Sequence, residues 1–518
     1  MIRLKKFLYH HDTSPKILLI PGLVLALALA RIFYFYFSPA QTAIAAVPDD
    51  AFYFIQLARH RLVEGFWTFD GVAPATGFHL LYGYSLYALF ALFGDLDWRT
   101  LLLVVGVPAS FALALSCMFL SATARRVMPE HWIVAGIPLL TPFALQQATA
   151  LMESWLVLSC ASLTVFLGFR DRAIDTKRAV LLILVGVLGS LARSDFGMLP
   201  GIMFCVVFVL RRRLPRPWLG RCFFLLLGAV FGVATVLIHT YGVSGQLSQA
   251  SAQVKFFWSQ ASGHHFRSVL FLVFGMIAPG VRSMPKIMQA GVVASLAALA
   301  CYTLFVGIKK RGNWRLEALV PGLCGALTLL GYVLFYRFNS AALATWYSSN
   351  LLVPFGLILA TVVYIASPHG SRAIQALLVG VYALTGAASV VQASYPHQQG
   401  AMQAGLLIKH MPDARFAAWN AGIISYFSQR PVINIDGLVN DDALTYIRGG
   451  TLLSYLQQRN IRYIVDFDVM MAPKYRRRGG YLSASWDRCV VRLRTLDDKH
   501  APFQRSHLAL YEVKERCR

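Results

Sequence analysis

Residues 17–60 read ILLIPGLVLALALARIFYFYFSPAQTAIAAVPDDAFYFIQLARH, and this stretch decides the fold. The apolar run 17–37 contains one charged residue, Arg31. It is long enough to cross a bilayer, which takes about 20 residues. Two adjacent aspartates, Asp49 and Asp50, follow it after a short linker. The stretch therefore predicts a retained membrane span followed by an acidic loop at the membrane surface.

The whole chain has the composition of a multi-span membrane protein. Of its 518 residues, 57% are hydrophobic and 14% are charged, and the mean hydropathy is +0.57. Soluble domains are about half apolar and a quarter charged, so a soluble enzyme, a disordered chain and a fibrous protein are excluded. We expect about 11–13 spans. The apolar runs lie at 17–37, 78–93, 101–122, 132–145, 150–169, 180–191, 196–210, 222–238, 268–278, 290–308, 319–335, 351–366 and 373–391.

The formal charge of +24 is first explained by membrane orientation, so we expect no nucleic-acid partner. Basic residues cluster near the N-terminus and in loops 170–178, 211–221 and 309–315, which predicts that these segments are cytoplasmic. Loop 39–77 and the C-terminal tail would then lie on the external face of the membrane. One conflict remains, because Arg125 and Arg126 resemble cytoplasmic residues although two apolar runs separate them from loop 39–77. Either that pair is external or one run does not fully cross.

The sequence pattern changes at about residue 395. Short apolar segments at 415–419, 432–435 and 463–466 predict strands, and 451–459 predicts a helix between two of them. We therefore divide the chain into a transmembrane domain, 1–394, and a small extracytoplasmic α/β domain, 395–518. Cys489 and Cys517 lie in this tail, and they could pair if the compartment is oxidising.

Asp49 and Asp50 are the first candidates for chemistry. The segment after them predicts a helix at the interface, with Asp49, Tyr53, Gln56 and His60 on one face. An acid there could face a lipid headgroup. The alternative is that one aspartate is a helix N-cap, a role that Asp often fills. A cap needs only one aspartate, so the other still requires an explanation.

Acidic residues elsewhere in the membrane half are few. Glu153 begins an apolar run near the external surface, where it is either functional or stabilised by the helix dipole. Arg193 and Asp195 lie in an external hairpin, either as a local ion pair or as a phosphate-binding arginine held by an aspartate.

Other candidate ligands of a phosphate or a sugar are Lys255, Arg337, Trp346 and Tyr347, although such residues more often serve as interface anchors or as part of an aromatic belt. No metal-binding spacing occurs. A divalent cation (Mg or Mn) held by Asp49, Asp50 and Glu153 is the one cofactor that we consider.

Several motifs resemble one family. The pattern Asp49-Asp-Ala-Phe-Tyr…Ala58-Arg…Gly65…Thr68-Phe-Asp-Gly71…Ala75-Thr-Gly-Phe-His79 resembles the first external loop of bacterial C-type (GT-C) glycosyltransferases. Four other segments are similar to the same family, although Leu151 stands where glycine often precedes Met-Glu. These segments are Met152-Glu153, Leu191-Ala-Arg-Ser-Asp195, and the tail motifs Trp419-Asn-Ala-Gly-Ile-Ile-Ser-Tyr-Phe427 and Asn434-Ile-Asp-Gly-Leu-Val-Asn440.

The resemblance implies an α-helical polytopic membrane protein of the GT-C type, with a small C-terminal α/β extracytoplasmic domain. It implies an enzyme that moves a hexose or pentose from a polyprenyl-phosphate carrier to a hydroxyl of a glycan, lipid or protein acceptor. Asp49 or Asp50 would be the general base, with Glu153 as a further catalytic carboxylate. The expected substrate-binding residues are Tyr53, His60, His79, Arg193, Asp195, Lys255, Arg337, Trp346 and Tyr347.

Physical chemistry supports the same reaction. Inverting transfer needs a base on the face opposite the leaving group, and a phosphate leaving group needs positive charge. A transporter or flippase for lipid-linked glycans and a non-catalytic assembly subunit are the alternatives. Transporter sites lie near the membrane midplane, often between repeats, whereas these acids cluster at one surface and no repeat is visible. The enzyme is therefore the favoured prediction.

Overall fold

The computed structural model describes residues 18–262, 267–277, 305, 314–339, 343–366, 372–496 and 506–515. It shows a mostly helical membrane protein that ends in a small sheet domain, which confirms the predicted fold class. The described α-helices before residue 390 are α1 Leu19–Phe37, α2 Ala40–Ile44, α3 Asp49–Glu64, α4 Leu80–Phe93, α5 Trp98–Val104, α6 Gly106–Val127, α7 Pro142–Leu145, α8 Ser154–Gly168, α9 Thr176–Ala192, α10 Met198–Leu210, α11 Arg216–Ser244, α12 Ala250–Ser262, α13 Arg267–Ile277, α14 Leu316–Asn339, α15 Ser349–Ala366 and α16 Arg372–Ser389.

Six helical stretches in the described part of the chain are long and apolar enough to cross a bilayer. They are Leu19–Phe37, Trp98–Val127, Arg216–Ser244, Leu316–Asn339, Thr345–Ala366 and Arg372–Ser389. Shorter apolar helices occur at Leu80–Phe93, Ser154–Gly168 and Ser194–Leu210. The predicted run at 290–308 lies outside the described residues except for position 305.

The predicted run 132–145 does not form one helix. It is divided into a 3₁₀ segment, Val134–Leu140, and the short helix α7, and all seven residues of the 3₁₀ segment are buried. Pro138 and Pro142 lack the backbone N–H that a continuous α-helix needs, and this explains the division. Irregular backbone in a membrane protein is tolerated where protein surrounds it.

Helix α4 begins and ends at the same end of the helical bundle. At its start, His79 Nε2 lies 3.5 Å from Glu153 Oε1, and just beyond its end Asp95 pairs with Arg59 of α3 at 2.6 Å. Fourteen residues rise only about 21 Å, less than the hydrocarbon core of about 30 Å. We conclude that α4 lies beside α3 instead of crossing.

The position of α4 resolves the conflict around Arg125 and Arg126. Arg126 Nη1 donates to the Phe166 carbonyl at 3.2 Å, which places it beside the basic 170–178 loop at the opposite end of the bundle. Arg99 at the start of α5 donates to the Ser38 carbonyl at 2.9 Å, at the end that carries α3. The sequence left two explanations open: an external Arg125–Arg126 pair, or an apolar run that does not fully cross the membrane. The second fits the structure, and the run is α4.

The C-terminal region forms a five-stranded mixed sheet with strand order β2-β1-β3-β5-β4. Strand β1 is parallel to β2 and β3, whereas β5 is antiparallel to β3 and β4. The elements are α17 Gln398–Lys409, β1 Arg415–Ala418, α18 Ala421–Ser428, β2 Val432–Asn434, α19 Asp441–Gly449, α20 Leu452–Gln458, β3 Ile461–Phe467, α21 Arg476–Gly479, α22 Trp486–Cys489, β4 Val490–Thr495 and β5 Leu508–Val513.

The three strands and the helix predicted in the tail occur at the expected places. The sequence analysis missed β4 and β5. Strand β4 is a largely exposed edge strand with arginines at 492 and 494, whereas β5 is buried between β3 and β4. Cys489 is disulfide-bonded, and its predicted partner Cys517 lies outside the described residues.

Helix α3 is packed between the bundle and the sheet domain. Phe52 contacts Tyr426 of α18 with ring centroids 5.0 Å apart, and Tyr53 Oη donates to the Trp419 carbonyl of the sheet domain at 3.0 Å. Phe54 contacts Tyr82 of α4 with ring centroids 5.1 Å apart. One buried hydrophobic cluster therefore extends from α3 and α4 into the sheet domain, with Ile423 and Val465 among its members. The predicted interface helix is thus covered by protein on both faces.

Candidate functional site

A narrow cavity lies where α3, α12 and the C-terminal domain meet. Eight of the side chains predicted from the sequence line it: Asp50, Tyr53, His79, Glu153, Arg193, Lys255, Trp346 and Tyr347. They come from six separate segments of the chain, and the tertiary structure brings them together at one end of the bundle.

Asp49 does not line this cavity, because its carboxylate is used elsewhere. Its two oxygens accept hydrogen bonds from the backbone N–H groups of Gly422, at 3.1 Å, and Ile423, at 2.7 Å. These groups belong to the first turn of α18, where backbone donors have no partner within the helix. Asp49 therefore joins the two domains, while Asp50, about 100° further around α3, faces the cavity.

Burial changes the protonation of both aspartates. It raises the pKa of Asp49 to about 7, although the two N–H donors act in the opposite direction. Burial also raises the pKa of Asp50, and the positive charge of Lys255 opposes this shift. A carboxylate with a raised pKa next to a cation is typical of catalytic sites.

Arg193 is the centre of a buried ion network. Its Nε and Nη2 donate to the two oxygens of Asp195 at 3.2 and 3.1 Å, and its Nη1 donates to Glu153 Oε1 at 3.2 Å. Tyr336 donates to Asp195 at 2.7 Å, and Asn350 donates to the Tyr336 hydroxyl at 2.7 Å. The Arg193–Asp195 pair is therefore more than a local turn contact, because α14 and α15 hold it as well.

Glu153 is fully buried, and only one of its two carboxylate oxygens has a partner among the described residues. Its Oε1 is shared by Arg193 and His79, whereas Oε2 has no hydrogen-bond partner among the described residues. Leu151, two residues earlier, adopts a left-handed conformation with φ of 50°, which is strained for a residue with a side chain. This strain accounts for the glycine that the family pattern often has there, and it turns the Met152-Glu153 pair into the cavity.

Lys255 and Arg193 both lie against the ring of Tyr347. Lys255 Nζ donates to the Tyr347 hydroxyl, and the Arg193 guanidinium lies 4.3 Å from the ring centroid. Burial lowers the pKa of Lys255, but Tyr347 and Asp50 outweigh this effect and the net shift is upward. Among the described residues no carboxylate lies within 4.0 Å of the Lys255 ammonium, so its charge is available to an anionic ligand.

The C-terminal domain closes the cavity with a loop that includes Leu438 and Val439. Thr76 fastens this loop, because its backbone N–H and its hydroxyl donate to Asp441 at 3.0 and 2.7 Å. Gly77 is required at the contact, since a Cβ there would lie 1.5 Å from the Leu438 carbonyl oxygen. The sequence analysis quoted both motifs but did not predict that they touch.

Comparison with known proteins gives one family model and several structures. Residues 391–511 match a domain of unknown function, DUF8728. No curated protein sequence matches the chain.

The chain is similar in structure to two kinds of GT-C glycosyltransferase. ArnT from Cupriavidus metallidurans bound to undecaprenyl phosphate aligns with a TM-score of 0.55 and 14% identity, over 94% of this chain and 97% of that one. The Archaeoglobus fulgidus oligosaccharyltransferase tethered with an acceptor peptide containing the NVT sequon aligns with a TM-score of 0.52 and 12% identity, over 88% and 70%. This chain has the GT-C fold.

Two predicted ligands lie away from the cavity in this GT-C structure. His60 Nδ1 is 3.3 Å from the Thr68 carbonyl, and the ring borders a separate groove on the far side of α3. Arg337 follows Tyr336 on α14 and lies over the ring of Phe338, 5.5 Å from its centroid. His60 was predicted from the helical face that it shares with Asp49, and neither of these two residues lines the cavity. Arg337 was predicted from its position in the sequence, and adjacent helical residues point about 100° apart.

The cavity residues do not form the metal site considered from the sequence. Both oxygens of Asp49 accept backbone N–H groups, so Asp49, Asp50 and Glu153 do not converge on one point. Within the described ranges, no group of three His, Cys, Asp or Glu side chains is arranged to hold a metal ion. We derive no step that depends on a metal.

Proposed function

We propose that the protein is a glycosyltransferase that moves a sugar from a polyprenyl-phosphate carrier to a hydroxyl of an extracytoplasmic acceptor. One observation carries this proposal: Asp50 and Lys255 line the same cavity, and no carboxylate of the described residues forms an ion pair with Lys255. Inverting transfer from a phosphate needs these two groups, a base and a positive charge at the leaving group. The GT-C fold supports the same reaction class by analogy.

Asp50 is the proposed general base. In the transfer step, the acceptor oxygen forms a bond to the anomeric carbon while the bond from that carbon to the phosphate oxygen breaks. The hydroxyl proton passes to Asp50, and the electron pair of the broken bond leaves on the polyprenyl phosphate. Asp49 is the structural member of the pair, because Gly422 and Ile423 occupy both of its oxygens.

Lys255 is the proposed partner of the carrier phosphate. Arg193 is a weaker candidate, since three of its donors already go to Asp195 and Glu153. Its role is to hold Glu153 in the wall, with its two other N–H groups left for a ligand. Trp346 and Tyr347 contribute aromatic surface, and His79 fixes the other side of Glu153.

The external face of a bacterial inner membrane is the proposed location of the site. The basic loops at the opposite end of the bundle support this orientation. The disulfide at Cys489 supports it independently, because disulfides persist in oxidising compartments. The position of the cavity argues against a transporter. Transporter sites usually lie near the membrane midplane, whereas this cavity lies at one end of the helical bundle, beneath the sheet domain.

The test compares the mass of surface glycans and glycolipids in cells with the intact gene, without it, and with single variants. We expect one sugar to be missing without the protein and with Asp50→Asn, and present with Asp49→Asn. Full restoration of the sugar by Asp50→Asn would exclude Asp50 as the base. Loss of the whole surface glycan in the deletion strain, with lipid-linked glycan accumulating on the inner leaflet, would indicate a flippase instead, and an unchanged glycan profile would exclude the transferase.

A further inference from the structure

The groove beside His60 is wider than the cavity around Asp50 and lies on the other side of α3. Its volume is about 470 Å³, within the roughly 300–1,000 Å³ typical of small-molecule sites. Three of its lining residues, Gln56, Arg59 and His60, come from α3, and Arg59 points about 180° away from Asp50 around the helix. The groove and the cavity share no lining residue. The groove is therefore a separate space that is large enough for a ligand.

The groove lies on the junction between the membrane domain and the C-terminal domain. Gln56 is two helical turns after Asp49 and lies on the same face of α3. Its Nε2 donates to Ser425 Oγ of α18 at 3.3 Å, and this hydroxyl donates to the Arg430 carbonyl at 3.3 Å. The end of α18 and the residues up to Pro431 form the opposite wall. A ligand in the groove would therefore touch both domains.

The charged side chains of the groove balance one another and are already engaged. Two guanidinium groups, Arg59 and Arg430, are matched by two carboxylates, Asp95 and Asp97. Arg59 pairs with Asp95 at 2.6 Å, Arg430 donates to three backbone carbonyls, and Asp97 accepts from two backbone N–H groups. The groove therefore offers no net charge to an ion, in contrast to Lys255 in the cavity.

The groups that remain for a ligand are uncharged. Within the described part of the chain, Gln56 Oε1, His60 Nε2 and the whole Gln429 amide make no hydrogen bond. Gln429 follows α18 in a left-handed conformation with φ of 54°, at a position where helices usually have glycine. Such a conformation is strained for a residue with a side chain, and strain of this kind is concentrated at functional sites. The exposed Gln429 amide is therefore a candidate contact for a ligand.

The chemistry of the groove favours a neutral ligand with several hydroxyl groups. A hydroxyl both donates and accepts, so it matches the amides of Gln56 and Gln429 and the imidazole of His60. Pro431 is the one described lining residue without a polar side chain, whereas sites for apolar ligands have mostly apolar walls. A lipid tail and a hydrophobic peptide are therefore poor candidates, and a saccharide fits.

We propose that this groove is a non-catalytic saccharide site, which holds a part of a glycan that does not react. The glycan would lie against α3 and α18 together, and a ligand that binds only the docked arrangement stabilises it by mass action. That the glycan is the acceptor or the product of transfer rests on the proposed function. The binding of a saccharide to the groove does not, so the two can fail separately.

The test is saturation-transfer NMR on the full-length protein in lipid nanodiscs. The probes are the methyl glycosides of glucose, galactose, mannose and N-acetylglucosamine, with methyl glucuronide as an anionic comparison and methyl glucosaminide as a cationic one. We expect at least one neutral glycoside to bind at millimolar concentration, and more tightly than both charged sugars. Gln429→Gly should weaken that signal at least threefold, because it removes the amide while glycine adopts the φ of 54° without strain. Gln56→Ala should weaken it by a similar factor.

Gln260→Ala is the matched control, because it removes an exposed glutamine of α12 outside the groove and should leave the signal unchanged. Lys255→Met, which alters the cavity, should also bind the glycoside normally. Absence of binding by all neutral glycosides, or an equal signal in wild type and in both groove variants, would overturn the proposal. If Gln56→Ala does not fold, Gln429→Gly decides alone. Binding in the groove of a protein that transfers no sugar would remove only the proposed function.

Discussion

Asp49 and Gly422 are in such close contact that residue 422 has no room for a side chain. A Cβ on Gly422 would lie 2.3 Å from the backbone oxygen of Asp49 and 3.1 Å from its carboxylate. The same contact lets the Gly422 N–H donate to that carboxylate at 3.1 Å. Of the two adjacent aspartates, Asp49 therefore joins the domains and Asp50 faces the cavity.

Gly422→Ala should loosen this junction. The new methyl group would meet backbone, which cannot move aside cheaply, so we expect a loss of about 1–3 kcal/mol in the free energy of unfolding. Thermal unfolding of the detergent-solubilised protein measures it. Gly449→Ala is the control, since its Cβ would approach only the Thr451 hydroxyl, at 3.4 Å. Equal melting temperatures for the two variants would contradict the contact.

The stability of the junction should depend on pH through Asp49. Its pKa is about 7 in the folded protein and about 4 in an unfolded chain, so the folded state binds the extra proton between these values. Stability from this group is therefore complete below about pH 4 and is lost as the pH rises toward 7. We expect the wild-type melting temperature to fall over this range, and Asp49→Asn, which cannot titrate, to reduce the fall. The same pH dependence in both proteins would show that another group is responsible.

The pH dependence of transfer should report Asp50. A general base must be deprotonated, so kcat/KM should fall as the pH drops through the raised pKa of this carboxyl. The positive charge of Lys255 favours the carboxylate, and Lys255→Met should move the acidic limb of the profile to higher pH while lowering the rate. A profile that keeps its midpoint in Lys255→Met would argue against the Asp50–Lys255 pairing.

Arg193→Gln should destabilise the membrane domain strongly. It would leave Glu153 and Asp195 without their buried cation, and breaking one side of such a network costs about 3–5 kcal/mol. Arg462→Gln, which removes an exposed charge in the C-terminal domain, should change stability by less than about 0.5 kcal/mol. Urea unfolding followed by tryptophan fluorescence compares the two. Adding Glu153→Gln to Arg193→Gln should recover part of the loss, because one of the unpaired carboxylates is then neutral.

Much of the fold could be predicted from local patterns. Long apolar runs identify spans because lipid requires every backbone group to be paired within a helix. The strands of the tail were found where apolar residues are concentrated, at β1, β2 and β3. The pattern failed at 132–145, where prolines divide the run, and at α4, which has the composition of a span. The contacts of Asp95 and Glu153 keep both ends of α4 at the same end of the bundle.

The sequence by itself determined that this is a multi-span membrane protein with a small α/β tail, and which scarce charged residues were worth following. Only the tertiary structure decided that Asp50 faces the cavity while Asp49 binds α18, that His60 and Arg337 lie elsewhere, and that the loop at Leu438 forms the roof. The reason is physical. Hydrophobicity and periodicity act over a few neighbouring residues, whereas the direction of one carboxylate depends on donors more than 370 positions away in the chain.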